Sequence, residues 1–436
     1  MLPKVQGDRK TLVAARRRRN PLFFPIEESK MKPNIAFVCQ RYGLEVNGGA
    51  ELHCRQVAEI LAPYYNITVY TTCAIDYVTW KDEYQPGEET INGVRVKRFR
   101  VSRERNQIDF DRISQIALTN PKHTDAQEEE WIDAQGPYCP ELIETLSREH
   151  SNYRVVFFMT YLYYLTARGL PLGFENAMLI PTVHDEPPVY LRYYAKVFAG
   201  AKAIAWNTVT EREFAEKRFP FLKKTPGVIM GLGIDGPKTK LPALPESLKD
   251  TRYIVYAGRI DESKGCGEMF RYFLQYRDRT KNGLKLVLMG KPVMPVPDDP
   301  DIISLGFVTD EMKFAVMKDS VALLLCSRFE SLSMVVLESM LMGRPVLVTA
   351  HCPVLKGHCI LSNAGLYYAN YGEFECALNY LLSHPDQYQA MCQNGIRYVE
   401  ENYRWDVIVE KYRKLIDGFD DKTEEKETYE KNCNKK

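Results

Sequence analysis

From Asn34 onward, apolar runs alternate with amphipathic segments, the rhythm required by a sheet covered with helices on both faces. Ile35 to Cys39 is continuously apolar, as a parallel strand buried on two sides must be. Gly48-Gly49 follows, then a segment in which Ala50, Cys54, Val57 and Leu61 share one helical face. Ile67 to Thr71, Val155 to Met159 and Met178 to Thr182 read as further strands. Between the first two of these, Arg103 to Ser151 is polar and charged and reads as an insertion with helices of its own. A second series opens at Tyr253 to Ala257. It runs through a helix around Met269 to Leu274, a strand from Leu284 to Met289 and a helix from Asp310 to Lys318. The strand Val321 to Cys326 and a helix over 333–342 complete it. In that helix Met334, Leu337 and Leu341 fall on one face, with Ser333 placed to cap it and Gly343 to stop it. Pro345 then precedes another strand, Val346 to Thr349.

The alternation predicts an α/β protein in two halves, and 436 residues is too long for one ordinary core. Gly227 to Ser247, with Pro237, Pro242 and Pro245, reads as the link, and the ligand cleft is expected between the halves. The expected layout is a leader over 1–32, a first domain over 33–226 and a second over 227–402. A helix over 403–419 then packs back on the first domain, ahead of a Lys/Glu-rich, disordered tail over 420–436.

Charge and cysteine usage narrow the setting. Lys and Arg total 58 against 57 Asp and Glu, so bulk charge gives no reason to expect nucleic acid as a partner. No apolar run approaches the ~20 residues that span a bilayer. Eleven scattered cysteines without a C-x-x-C pair fit reduced thiols and a cytoplasmic setting. In the leader, Leu22-Phe23-Phe24 is too short an apolar core for a secretory signal. The leader is expected to be disordered, with Met31 as an alternative start. The competing reading of Arg16 to Arg19 and the aromatics after them is peripheral contact with an anionic membrane surface.

The densest chemistry lies at Ser327-Arg328-Phe329-Glu330-Ser331-Leu332-Ser333, with Glu338 following Glu330 after seven intervening residues. Glu330 falls on a loop at the carboxyl end of a parallel strand, where open α/β sheets bind ligands. Glu338 rides one to two turns into the following helix and can look back at the same crevice. Carboxylates there accept bonds from sugar hydroxyls, and the first amides of the helix favour an anion, so sugar plus phosphate is the expected ligand class. Tyr256 to Gly265 ends a strand and begins a helix, with Gly258 permitting close backbone approach. Arg259 and Lys264 put two cations at the sheet edge, enough to neutralise a diphosphate without a metal. Taken alone that turn would be ordinary solvated surface; beside the paired glutamates it gains meaning. Gly48-Gly49 is the matching element of the first half, a weak signal because any tight strand-to-helix turn can use it. His184-Asp185-Glu186, held by Pro187-Pro188, follows a strand and faces the same cleft. Tyr161, Tyr163 and Tyr164 could stack on a sugar ring or equally be core and rim aromatics. Two metal-like patterns are set aside. Asp109-Phe110-Asp111 lies in the polar insertion without a preceding strand, and His351-Cys352 with His358-Cys359 matches no zinc spacing.

Together these segments resemble retaining glycosyltransferases of family four, over roughly Asn34 to Ile416. Gly258-Arg259 with Lys264-Gly265 is similar to the family's phosphate clamp, and Glu330 with Glu338 to its spaced glutamates. Gly48-Gly49-Ala50-Glu51 resembles its amino-terminal glycine motif, His184-Asp185 its histidine segment and Gly231 to Asp235 its hinge. Gln40-Arg41-Tyr42-Gly43 and His184 to Pro188 resemble a bacterial subgroup associated with cell-surface polysaccharides. The resemblance implies the GT-B fold, two Rossmann-like domains facing each other across a cleft. It also implies a metal-independent hexosyltransferase with no cofactor. The partners would be a nucleoside-diphosphate sugar as donor and a glycan or lipid-linked glycan as acceptor.

In that reading Glu330, His184, Lys264 and Arg259 carry the chemistry. Glu338, Gly258, Ser331, Leu332, Ser333, Gly48 and Gly49 bind the donor, and Asp185 and Tyr161 lie on the acceptor side. One departure stands out: the family usually has Glu-Gly-Phe-Gly where this chain has Glu330-Ser331-Leu332-Ser333. An epimerase of the same fold and a non-catalytic sugar-nucleotide-binding subunit are the alternatives.

Overall fold

The computed structural model describes residues 32–46 and 48–418, so the basic aromatic leader and the charged tail lie outside the described residues. The first sheet contains β1 (Asn34–Val38), β2 (Asn66–Thr72), β3 (Gly87–Ile91), β4 (Val94–Phe99), β5 (Val155–Met159), β6 (Ala177–Ile180), β7 (Ala203–Trp206) and β8 (Gly227–Ile229). Its order is β3-β4-β2-β1-β5-β6-β7-β8, and every pairing is parallel except β3 with β4. β1 is central, with Ile35 opposite both Ile67 and Val155. Ile35 and Phe37 enter one apolar core while Ala36 and Val38 enter another, so both faces are buried and the run reads as unbroken.

The β3–β4 hairpin escaped the reading by apolar runs because Val94–Phe99 alternates instead, with one face open. Its turn is Asn92-Gly93, both left-handed, the pair a two-residue hairpin demands. β8 extends the first sheet three residues beyond the expected boundary at 226. The insertion forms helices Gln107–Thr119, Asp125–Gln135 and Pro140–Glu149. Trp131, Ile132, Leu142 and Leu146 from it join the core on the Val38 face.

The second sheet contains β9 (Tyr253–Ala257), β10 (Lys285–Met289), β11 (Ile302–Ser304), β12 (Leu323–Leu325), β13 (Val346–Thr349) and β14 (Gly365–Tyr368). It is wholly parallel in the order β11-β10-β9-β12-β13-β14, a doubly wound sheet that reverses direction between β9 and β12.

Gly231 to Gly236 spells G-x-G-x-x-G, yet no helix follows it and it serves the crossing between domains. A side chain on Gly233 would sit 2.1 Å from the Trp405 ring. The Ile234 amide donates to the Tyr403 carbonyl at 2.8 Å. The helix over 405–418 then lies on the first sheet: Tyr412 meets Phe157 edge-on at 5.7 Å, and Arg154 donates to the Ile416 carbonyl at 3.2 Å.

Candidate functional site

In an open doubly wound sheet the crevice opens where strand order reverses, because the flanking loops there diverge. In the second domain that point lies between β9 and β12. The turn after β9 is fixed first. Gly258 donates its amide to Met289 at 2.9 Å, and the Tyr256 hydroxyl donates to the Arg259 carbonyl at 2.7 Å. Asp261 caps the short turn Glu262–Lys264 by accepting the Lys264 amide at 3.1 Å. Gly265 then takes φ +74°, and a side chain on it would lie 2.3 Å from the Cys326 carbonyl oxygen. The turn is thereby pressed against the end of β12, which puts Lys264 beside the loop that follows. Lys264 Nζ meets Glu330 Oε1 at 2.8 Å.

Arg259 pairs through Nε with Asp261, reaches Ser263 Oγ at 3.5 Å and donates to the Tyr77 hydroxyl of the first domain at 3.1 Å. Glu338 accepts from Lys313 Nζ at 2.8 Å, one turn into the helix Met334–Leu341. Burial works against the Lys313 ammonium, but the Glu338 carboxylate outweighs it and raises its pKa. Three cations thus stand along one sheet edge, each held by an acid that an incoming diphosphate could displace. Arg259 and Lys264 are 44% and 32% exposed, open enough for that exchange.

Across the cleft, the first sheet reverses between β1 and β5. Gly48 and Gly49 lie exposed at the amino end of the helix Gly49–Leu61, after β1. Glu51 is buried beneath them, accepting from Gln40 at 2.8 Å and Arg41 Nε at 3.0 Å, so the glycine turn is clamped to its own strand. His184 follows β6, and its ring meets Phe329 of the second domain edge-on at 5.5 Å. Its Nδ1 is 3.1 Å from Glu186 Oε1, within ion-pair reach but off the line of a hydrogen bond. Thr160 and Thr182, at the ends of β5 and β6, both hold positive φ (55° and 50°). Two β-branched residues in that region mark local strain at the cleft.

The structure therefore joins Lys264 to Glu330 directly, Arg259 to them through Asp261, and His184 to the adjoining Phe329. Glu338 keeps its own partner and bonds to none of the other three. Two expectations change, at Tyr161 and Ser333. Tyr161 is fully buried against Tyr194 and Phe198 with its hydroxyl donating to Glu186 at 2.8 Å, so it cannot stack on an acceptor. Asp185 accepts from Tyr190 at 2.7 Å, the neighbour on its own loop. The Leu332 side chain is in the core, leaving only its backbone to offer a ligand. Ser333 does not cap the helix: its backbone is left-handed at φ +64° and its buried hydroxyl finds no partner among the described residues. Asp109 and Asp111 lie on the helix Gln107–Thr119, and the two His-Cys pairs point apart. Among the described residues no three His, Cys, Asp or Glu side chains are grouped to hold a metal ion. A crevice of about 450 Å³ lined by Trp80, Arg105, Phe110 and Tyr138 opens beside the insertion and contains none of the donor-side residues.

Tyr77, Lys313 and Thr208 escaped the reading of the sequence. Thr208 Oγ1 donates across the cleft to the Ser331 carbonyl at 3.4 Å. Tyr77 sits in a loop without periodicity and Lys313 on an ordinary helical face, so only the fold brings them in. Thr208 did carry a signal, since it precedes a helix with Glu211 three residues on.

Residues 251–384, most of the second domain, match the family model described as Glycosyl transferases group 1. No curated protein sequence matches the chain. Several solved structures share its fold. Sucrose-phosphate synthase from Thermosynechococcus elongatus aligns with a TM-score of 0.60 at 16% identity, over 89% of this chain and 100% of that one. The α,α-trehalose 6-phosphate synthase of Burkholderia multivorans gives 0.65 at 12%, over 90% and 100%. Anabaena HepE in complex with UDP and glucose gives 0.58 at 13%, over 88% and 100%. At such identities the likeness establishes the fold, and that fold is GT-B.

Proposed function

We propose that this chain is a retaining glycosyltransferase that moves a hexosyl group from a nucleoside-diphosphate sugar to a hydroxyl acceptor. The observation that carries the proposal is the Lys264–Glu330 pair at 2.8 Å, at the strand-order reversal of a Glycosyl transferases group 1 segment, with Arg259 beside it and His184 opposite. The diphosphate takes over Arg259 and Lys264, whose fixed charge stabilises the leaving group by several kcal/mol. Glu330, released from Lys264, accepts from sugar hydroxyls, and Glu338 accepts from the ribose. Amides of Ser331 to Ser333 face the sugar. His184 lies against the ring as positive charge develops at the anomeric carbon. The bond from that carbon to the diphosphate oxygen breaks, and the acceptor oxygen bonds on the same face. Its proton passes to the departing phosphate. Cations built into the protein do here what a divalent ion does in other sugar-nucleotide sites.

HepE with bound UDP and glucose supports a nucleotide-sugar donor. A glycan or lipid-linked glycan of cell-surface polysaccharide synthesis, met at the cytoplasmic face, is the proposed acceptor. The test is transfer from UDP-, GDP- and ADP-hexoses to an acceptor panel, with the product anomer read by NMR. Glu330→Gln and Lys264→Ala should each lower kcat at least a hundredfold, the scale of losing one transition-state contact. Near-normal transfer by both overturns the assignment, and an inverted product overturns the retaining mechanism.

A further inference from the structure

The loop between β12 and the helix Met334–Leu341 is held from several sides. Glu330 is tied to Lys264 and the Ser331 carbonyl to Thr208. The Leu332 carbonyl is held from below by His358, whose Nε2 lies 2.7 Å away. His358 comes from the helix Pro353–Ser362 and is 2% exposed. Its Nδ1 is 3.1 Å from the Tyr398 hydroxyl, which is in turn 3.2 Å from the Tyr403 hydroxyl. Both tyrosine rings stand edge-on to the imidazole, at 5.9 and 6.1 Å.

These contacts fix the tautomer. A carbonyl only accepts, so Nε2 carries the proton, and Nδ1 must then accept from Tyr398. Burial lowers the imidazole pKa to about 4, so the ring stays neutral over the working range of pH. Many buried histidines merely satisfy themselves in a core. This one differs in what it holds, because Leu332 stands between the two serines that replace glycines in the loop. Ser333 strains that loop with its left-handed backbone, and a strained loop needs external bonds to keep one conformation.

We infer that His358 is a positioning residue for the donor: through the Leu332 carbonyl it sets the amides of Ser331 to Ser333 against the sugar without touching the ligand. The inference rests on reading that loop as the donor loop. It predicts a specific signature. Arg259, Lys264 and Glu338 hold the diphosphate and ribose independently of His358, so removing His358 weakens recognition of the sugar and spares the nucleotide.

The experiment measures, by calorimetry, binding of UDP, GDP and ADP and of their glucose conjugates to the full chain and to variants. His358→Leu should weaken the glucose conjugate roughly fivefold or more while leaving the bare diphosphate within about twofold, the loss expected for one hydrogen bond. His358→Gln, which can donate to Leu332 and accept from Tyr398, should recover most of it. Tyr398→Phe, which frees the tautomer, should fall between. Should His358→Leu not fold, the other two variants carry the test. Equal weakening of conjugate and diphosphate, or no weakening of either, overturns the inference and leaves the proposed function standing. A wild-type chain that binds none of the six compounds overturns both.

Discussion

Ser333 has the φ of a glycine and the side chain of a serine. A left-handed backbone costs a non-glycine residue about 1–2 kcal/mol, and a buried hydroxyl without a partner costs about 1–3 kcal/mol more. Glycine would lose about 0.5–1 kcal/mol in chain entropy, which is the smaller term. Ser333→Gly should therefore stabilise the protein by about 1 kcal/mol or more, read as a raised Tm, and a lowered Tm would contradict that comparison. Glu211 is a second residue under tension. Burial drives its pKa up to about 8, against the pull of backbone amides of Asn207 and Val183 that donate to it at 2.6 and 2.7 Å. The native state then binds a proton that the unfolded chain, with its carboxyl near 4.5, releases. That contribution is complete below about pH 4.5 and is lost as pH rises through about 8. Glu211→Gln does not titrate, so the Tm of wild type minus that of the variant should shrink between pH 5 and 8; a constant difference would refute the protonated state. At this scale the contact of Lys264 with Glu330 is legible from strand-end position and opposite charge. Tyr161 was ambiguous because a tyrosine before a helix suits core and rim alike, and only packing against Tyr194 decides it.

Among the elements, the turn from β9 into the helix Cys266–Thr280 is the most demanding. Gly265 combines a left-handed backbone with backbone contact to Cys326, and neither can yield as a flexible side chain could. Gly265→Ala should destabilise the protein by about 2–4 kcal/mol and move Lys264 off Glu330. Urea unfolding reads the first effect and loss of diphosphate binding the second; a variant unchanged in both would show that the turn does not set the clamp. Elements with unbroken apolar runs were legible at once, since burial on both faces leaves no room for polar positions. The β3–β4 hairpin was legible only through Asn92-Gly93. β8 was hidden because three residues carry too little pattern, and the proline-rich stretch after it drew the boundary early.

Over the whole molecule, the two domains meet at the site itself: Tyr77 with Arg259, His184 with Phe329, and Thr208 with Ser331. A side chain on Gly357 would come 2.6 Å from Thr210 Oγ1, so the helices Pro353–Ser362 and Val209–Arg218 also approach closely. None of these pairs could be read from sequence, because separations of more than a hundred residues leave no local trace. The helix over 405–418, reaching back to Tyr412 on Phe157, has a practical consequence. A fragment ending near Ile229 would present that sheet face, Phe157 included, to water. Expressed alone it should self-associate in gel filtration, whereas a circular permutant that fuses 405–418 ahead of Asn34 should elute as a monomer. The helix over 405–418 is thus the missing wall of the amino-terminal half, so a sheet made early in synthesis is sealed only by a segment made long after it.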